Sequence, residues 1–375
     1  MRKVKLIAVL ATALSLASCL GTDEPYTAGF VFIKPTANVT MLYANNTSDS
    51  IIFYSYGNWN LNTSAAMGGN WFSVAPTSGN GQVVYSLPVS FKQNTTGESR
   101  YGELRFTDTA HPGDANATLY FWQYATRGDG SLGNAADVKA ISGTDGSHYE
   151  FSYDELHRPL SLKVSKDGTL LHSLSLSYNN ADSILTVRDK EKTLTGRFTN
   201  DYQPIQLIGD GDTIGYTAQY NGVGYPVQPG MAFNLVHRSF SSVKAYAFLL
   251  GGQQLAPDSL HRADSLTIIN KTKEFNVTER LKMYYSQADN RHQSVDANQI
   301  VFGAEQCDPY QLLSLFRYTR STSIVSKIEH LGDQTYDVTV KLNADNSVAE
   351  MTVRQTQYWL GAPPTVTDIT YTFEY

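Results

Sequence analysis

Cysteine is almost missing from this chain of 375 residues, which holds only Cys19 and Cys307. An N-terminal processing signal, described below, claims Cys19, so Cys307 has no partner and an intrachain disulfide is excluded. A basic surplus is missing too, with 29 Lys and Arg against 35 Asp and Glu and a net charge of −6. Nucleic-acid binding needs a basic footprint and is excluded on that ground. The same balance disfavours electrostatic docking on anionic lipid. Beyond the first twenty residues no apolar run approaches the length of a membrane-spanning helix, and helical periodicity is scarce throughout. There is no Gly-x-Ser-x-Gly elbow, His-Glu-x-x-His pair, Walker loop or zinc-type cysteine pair. No cofactor and no metal site is expected.

The first nineteen residues are the most informative segment present. Arg2, Lys3 and Lys5 form a basic start, and Leu6 to Leu16 is an apolar stretch of 11 residues, about half of what a bilayer-spanning helix needs. The small Ala17 and Ser18 then lead to Cys19, and Leu16-Ala17-Ser18-Cys19 reads as a lipobox. Residues 1–18 are thus expected to be a secretory signal and Cys19 the lipidated first residue of the mature chain. Loss of the three signal cations takes the net charge to −9. Residues 19–28 are a polar, proline-containing tether. Asp23 and Glu24 resemble the acidic export signal of Bacteroidetes surface lipoproteins, which implies an outer-membrane lipoprotein facing the cell exterior.

The 24 Tyr and 16 Phe, with many Thr, Val and Ser and regular Gly and Asn punctuation, mark an all-β protein of antiparallel strands. Between 29 and 126 the alternation predicts seven short strands at Phe30 to Ile33, Val39 to Tyr43, Ile51 to Tyr56, Trp71 to Val74, Val83 to Phe91, Gly102 to Thr107 and Ala117 to Gln123. Such a set predicts an Ig-like β-sandwich. Trp59 is expected to close a strand, Pro76 and Gly79 to shape a turn in which Gly79 permits positive φ, and Arg100 to bond loop carbonyls. Trp59 and Trp71 are expected in the core. The run from Trp71 to Gly79, the alternating Val83 to Phe91, the turn Asn94 to Gly102 and the closing Thr118 to Gln123 together resemble the BACON domain, a Bacteroidetes module of surface glycan-handling proteins. That resemblance implies glycan binding or a spacer role.

Residues 127–140, with Gly128-Asp129-Gly130 and Gly133-Asn134, are expected to link this unit to a second one at 141–375. There a hairpin grammar repeats, in Tyr149 to Leu160, Leu174 to Asp182, Arg197 to Tyr202 and Val338 to Asn346, with Asn and Asp at the turns. It predicts a large antiparallel meander that curls or closes to hide its edges. The segment is similar to Bacteroidetes lipoprotein domains of unknown function with a porin-like fold. One short helix is expected where Asp308-Pro309 supplies a cap and an N1 proline ahead of Leu312, Leu313, Leu315 and Phe316.

Candidate chemistry is sparse. His148, His157 and His172 are expected on the surface rather than around a metal, Gly209-Asp210-Gly211-Asp212 in a hairpin turn rather than a calcium loop, and Cys307 in the interior. Glu150 and Asp154 are the carboxylates that a hydrolase of the second unit would use, although solvated turn positions suit them better. Two aromatic places do not read as routine core. Tyr358 and Trp359, beside Gly361, Pro363 and Pro364, are expected to contact a glycan or partner, with a lid over the sheet as the other reading. Tyr220 and Tyr225 flank a glycine-rich loop. The expected function is a non-catalytic, lipid-anchored surface protein that binds glycan or serves as a spacer. Its expected partners are the membrane, through the lipid on Cys19, and glycan or other surface lipoproteins. The alternatives are a hydrolase, or a structural component of an outer-membrane complex.

Overall fold

A computed structural model describes residues 29–66, 69–113, 116–178, 184–189, 192–198, 206–209, 212–217, 232–238, 242–251, 262–272, 276–303, 320–330 and 333–375. The expected signal, tether and lipid site at Cys19 lie outside these residues, as do Cys307, the helix expected after Asp308, and Tyr220 and Tyr225.

Nine strands come first: β1 (Phe30–Lys34), β2 (Val39–Leu42), β3 (Ser48–Ser55), β4 (Trp59–Ala66), β5 (Phe72–Val74), β6 (Ser78–Gly79), β7 (Val83–Phe91), β8 (Arg100–Asp108) and β9 (Asn116–Gln123). They form two sheets, ordered β1-β3-β7-β5 and β2-β9-β8-β4-β6. Every pairing is antiparallel except that of β2 with β9. The period-2 alternation of these strands sends Ile51, Phe53, Leu87, Val89, Leu104, Phe106, Leu119 and Phe121 into one shared core. Trp59 and Trp71 are buried there at 1% and 0% exposure, as the sequence suggests.

Two local expectations need correction. Trp59 opens β4 instead of closing a strand, and β4 pairs with β8 from Trp59↔Asp108 to Ala66↔Tyr101. Gly79 does not take a positive φ. It sits in β6, where an added Cβ would lie 2.5 Å from the Tyr85 hydroxyl and 2.7 Å from the Trp59 indole nitrogen. Closeness, not chain reversal, requires glycine here. Arg100 does reach a loop carbonyl, donating to Lys92 O at 2.7 Å.

The segment expected as a linker is packed. Arg127, Ser131, Leu132, Ala135 and Val138 are all buried. Its amides bond in both directions: Gly133 N donates to Ala125 O, Leu132 N to Arg291 O and Ala136 N to His292 O. Ala44 N donates back to Thr126 O. A Cβ on Gly133 would stand 1.7 Å from the carbonyl oxygen of Asn94, so the segment lies against the sandwich with no room for a side chain at that point.

Among the described residues sixteen strands follow: β10 (Ala140–Gly143), β11 (Ser147–Tyr153), β12 (Pro159–Lys166), β13 (Thr169–Tyr178), β14 (Ile184–Asp189), β15 (Lys192–Phe198), β16 (Gln206–Gly209), β17 (Asp212–Thr217), β18 (Ala232–Arg238), β19 (Ser242–Gly251), β20 (Arg262–Thr272), β21 (Asn276–Asp289), β22 (Ser323–His330), β23 (Gln334–Leu342), β24 (Val348–Trp359) and β25 (Ala362–Glu374). Each pairs antiparallel with the next, and β25 also pairs with β10 from Ala140↔Glu374 to Gly143↔Tyr371, so the sheet returns on itself. The turns follow the expected grammar. Between β23 and β24, Asn346 takes φ 66°, and Asp345 accepts from the amide and hydroxyl of Ser347 at 3.0 and 2.6 Å. Between β11 and β12 the left-handed residue is His157.

The two faces of the described strands differ in polarity. Ile141, Tyr149, Phe151, Leu162, Val164, Ile328, Val338, Met351, Val353 and Tyr371 point into a single core. A 3-10 helix, Ala297–Phe302, is wholly buried and packs in the same core, capped by Asp296. Outward, neighbouring strands pair charges, Glu150 with Lys163 at 3.3 Å, Arg354 with Asp368 at 2.8 Å, and Lys341 with Glu350, and Lys327 pairs with Glu329 at 2.6 Å along β22. A membrane-spanning barrel has the reverse arrangement, an apolar outer band around a polar interior. The charged pairs on β11–β12 and β22–β25 are exposed to water.

Candidate functional site

The β24–β25 hairpin carries Tyr358 and Trp359 at its end. The β23–β24 ladder runs to Gln334↔Gln357, Tyr358 N donates to Asp333 O at 2.6 Å, and β24 and β25 pair onward from Gln357↔Thr365 to Trp359↔Ala362. Gly361 turns the chain at φ +77°. Every residue from 358 to 368 is exposed. Pro363 and Pro364 are tolerated because β25 meets β10 only at residues 371–374, so their missing N–H groups leave no described ladder incomplete. Trp359 is 56% exposed, and its indole N–H donates to Thr365 Oγ1 at 3.1 Å. It lies in solvent and does not fold over the sheet. Tyr358 and Leu360 beside it are exposed as well.

The other candidates serve the fold. Glu150 is on the outer face of β11 beside Lys163 and His148. Asp154 closes the β11–β12 turn by accepting from the amides of Leu156 and Arg158, each at 2.9 Å, and from Arg158 Nε at 2.6 Å. His148 meets Ser142 Oγ at 3.0 Å and His157 meets Asp137 at 2.7 Å. No group of three metal-ligating side chains forms among the described residues. Gly209 and Asp212 face each other as the last pair of the β16–β17 hairpin, which accounts for their spacing.

The most desolvated ionisable groups meet inside the barrel sheet. Arg320 donates to the carbonyls of Asn290, Gln293 and Ser294 at 3.0, 2.7 and 2.7 Å. Asp296 accepts from Asn290 Nδ2 at 2.6 Å and from Asn298 N at 3.1 Å. Burial pushes the Asp296 carboxyl up, against the opposing charge of Arg320 and these hydrogen bonds. Burial likewise pushes the Tyr153 hydroxyl up, opposed by its bond from Ser294 Oγ at 2.8 Å. Backbone and neighbouring side chains make this network a brace for residues 289–299, with Gln293 Oε1 buried and unbonded at its edge.

A second aromatic surface was not anticipated from the sequence. On the outer face of the β2-β9-β8-β4-β6 sheet, Trp122 of β9 lies opposite Tyr101 of β8 and beside Met41 of β2. Tyr120 lies beside Val39 one row along. All five are exposed, between 37% and 44%. The Tyr101 and Trp122 rings are nearly parallel, 14° apart in orientation with centroids at 6.2 Å. A signal for this surface did exist: once Leu119 and Phe121 point inward, Tyr120 and Trp122 must point out.

No protein-family pattern matches the chain, so its BACON and porin-like resemblances rest on the residues quoted above. No curated protein matches it in sequence. Among solved structures it is similar to a porin-like protein from Bacteroides uniformis, at 10% identity and a TM-score of 0.41 over 64% of this chain and 99% of that one. It is also similar to a Bacteroides ovatus GH5 xyloglucanase in complex with a XXXG heptasaccharide, at 15% identity and 0.22 over 29% and 22%. A third likeness is to the YadV chaperone, at 9% identity and 0.20 over 58% and 92%.

Proposed function

We propose that this chain is a non-catalytic, lipid-anchored envelope protein that holds glycan through exposed aromatic side chains. The lipobox Leu16 to Cys19 supports the anchor. The charged outer faces of β11–β12 and β22–β25 suit a body held in water by that tether and not embedded in the bilayer. The observation that carries the reading is the Trp359 ring, presented at a hairpin end and fixed by Thr365. A pre-positioned ring loses little freedom when the C–H face of a sugar stacks on it.

Trp359→Ala is expected to weaken glycan binding about tenfold, since aromatic stacking contacts are worth roughly 1–3 kcal/mol. Its melting temperature should stay within about a degree of wild type, because an exposed side chain contributes little to stability. Titration calorimetry and a melting curve on one purified variant test both halves. Unchanged affinity would remove the tip from the binding site.

The anchor is tested separately. Cells labelled with palmitate should incorporate label into the wild-type chain and not into Cys19→Ser. Equal labelling of the two would sink the lipid assignment.

A further inference from the structure

We infer that the outer face of the β2-β9-β8-β4-β6 sheet is a second binding surface, whose occupant is an extended, uncharged polysaccharide chain. This deepens the glycan reading above and rests on it. Cross-strand register aligns the outward side chains in rows: Met41, Trp122, Tyr101 and Ala66 in one, Val39, Tyr120, Glu103 and Ser64 in the next, then Thr118, Arg105 and Asn62. Residues directly opposite across a sheet share a face, and neighbouring strands lie about 4.8 Å apart, so the first row runs about 14 Å. Its two central residues are exposed on adjacent strands, with ring planes 14° apart and centroids 6.2 Å apart. Two aromatic residues one strand apart suit successive rings of a chain better than one isolated sugar.

Charge and polarity select the occupant. Glu103 and Arg105 neutralise each other at 3.0 Å, so the face carries no net charge in these rows and has nothing to attract an ionic ligand. A lipid surface or a second copy laid on the whole face would also have to cover that ion pair, Asn62 and Ser64, at a desolvation cost the apolar part does not offset. A sugar chain has both halves of the needed complement, C–H faces for the rings and hydroxyls for the polar row. The Trp122 indole N–H and the Tyr101 and Tyr120 hydroxyls bond to no described residue and remain available to such hydroxyls.

The test is native-gel retardation of the full chain, detergent-solubilised, in gels containing soluble neutral polysaccharides: mixed-linkage β-glucan, xylan, galactomannan and dextran. Wild type should be retarded by at least one of them. Trp122→Ala and Tyr101→Ala should each weaken that retardation about tenfold with melting temperatures unchanged. Loss in Trp359→Ala but not in Trp122→Ala or Tyr101→Ala would overturn the platform and keep the hairpin tip. The opposite pattern would keep the platform and remove the tip. Retardation in no gel would overturn both. Binding to phosphatidylethanolamine vesicles, or self-association by sedimentation, that depends on Trp122 while glycan retardation does not would also overturn the proposal.

Discussion

Trp71→Ala is expected to destabilise the sandwich by about 3–5 kcal/mol, the usual cost of truncating a buried aromatic. The residue is fully buried and packs on Phe72 at 4.9 Å and Phe91 at 6.1 Å between ring centroids. It also forms the floor for a buried cation, with the Arg100 guanidinium 4.8 Å above the ring. Arg100 is held from the other side by Gln123 Oε1 at 2.9 Å and Lys92 O at 2.7 Å. Truncation therefore leaves both a cavity and a charge stripped of its aromatic neighbour. Trp71→Phe should recover part of the loss. In a double-mutant cycle with Arg100→Met the two changes should be non-additive by about 0.5–2 kcal/mol. Chemical denaturation of the four proteins checks this, and strict additivity would dismiss the cation–ring contact.

Arg320→Met should cost about as much, roughly 3–5 kcal/mol, because it removes the charged partner from a buried network and takes a donor from three carbonyls, of which Asn290 O keeps Gln293 Nε2. The loss should also depend on pH. Burial pushes the Asp296 carboxyl up and Arg320 holds it down, so without Arg320 the folded-state value rises further above the unfolded value of about 3.9. The folded state then binds more protons than the unfolded state in that interval, and stability falls as pH rises through it. The variant should be weaker at pH 8 than at pH 5 relative to wild type. Adding Asp296→Asn should abolish that difference. Urea denaturation at the two pH values decides, and a pH-independent loss would show that Asp296 is not coupled to Arg320.

What was legible in the sequence was whatever depends on period 2. β7 has the expected bounds, Val83–Phe91, because its alternation is uninterrupted and both ends meet turn residues. β4 escaped because Asn60, Asn62, Thr63 and Ser64 dilute its pattern. Its status as a strand comes from pairing with β8, a contact remote in sequence. The segment 127–140 read as a joint from its glycines, yet Gly133 is small because another backbone approaches it, and closeness leaves the same mark on a sequence as flexibility does. The Tyr358-Trp359 tip was readable because its glycine and prolines mark the turn locally. The Tyr101–Trp122 pair was not, since it exists only once β8 and β9 align in register. Alternation could show which way each ring points but not that the two meet.

The seam between β10 and β25 bears on how the protein acquires its structure. Every other pairing in that sheet joins strands adjacent in sequence, whereas the seam joins segments such as Thr144 and Thr370, 226 residues apart. Local hairpins form quickly and distant pairings slowly, because loop closure must precede the contacts that reward it. The folding order is therefore a zipping of neighbours followed by one late closure. Until that closure β10 and β25 both expose unpaired backbone groups, and a strand edge of this kind is where a chain is most open to pairing with another copy of itself. For this protein the hazardous interval lies at the end of folding, and its length is set by how fast the last strand finds the first.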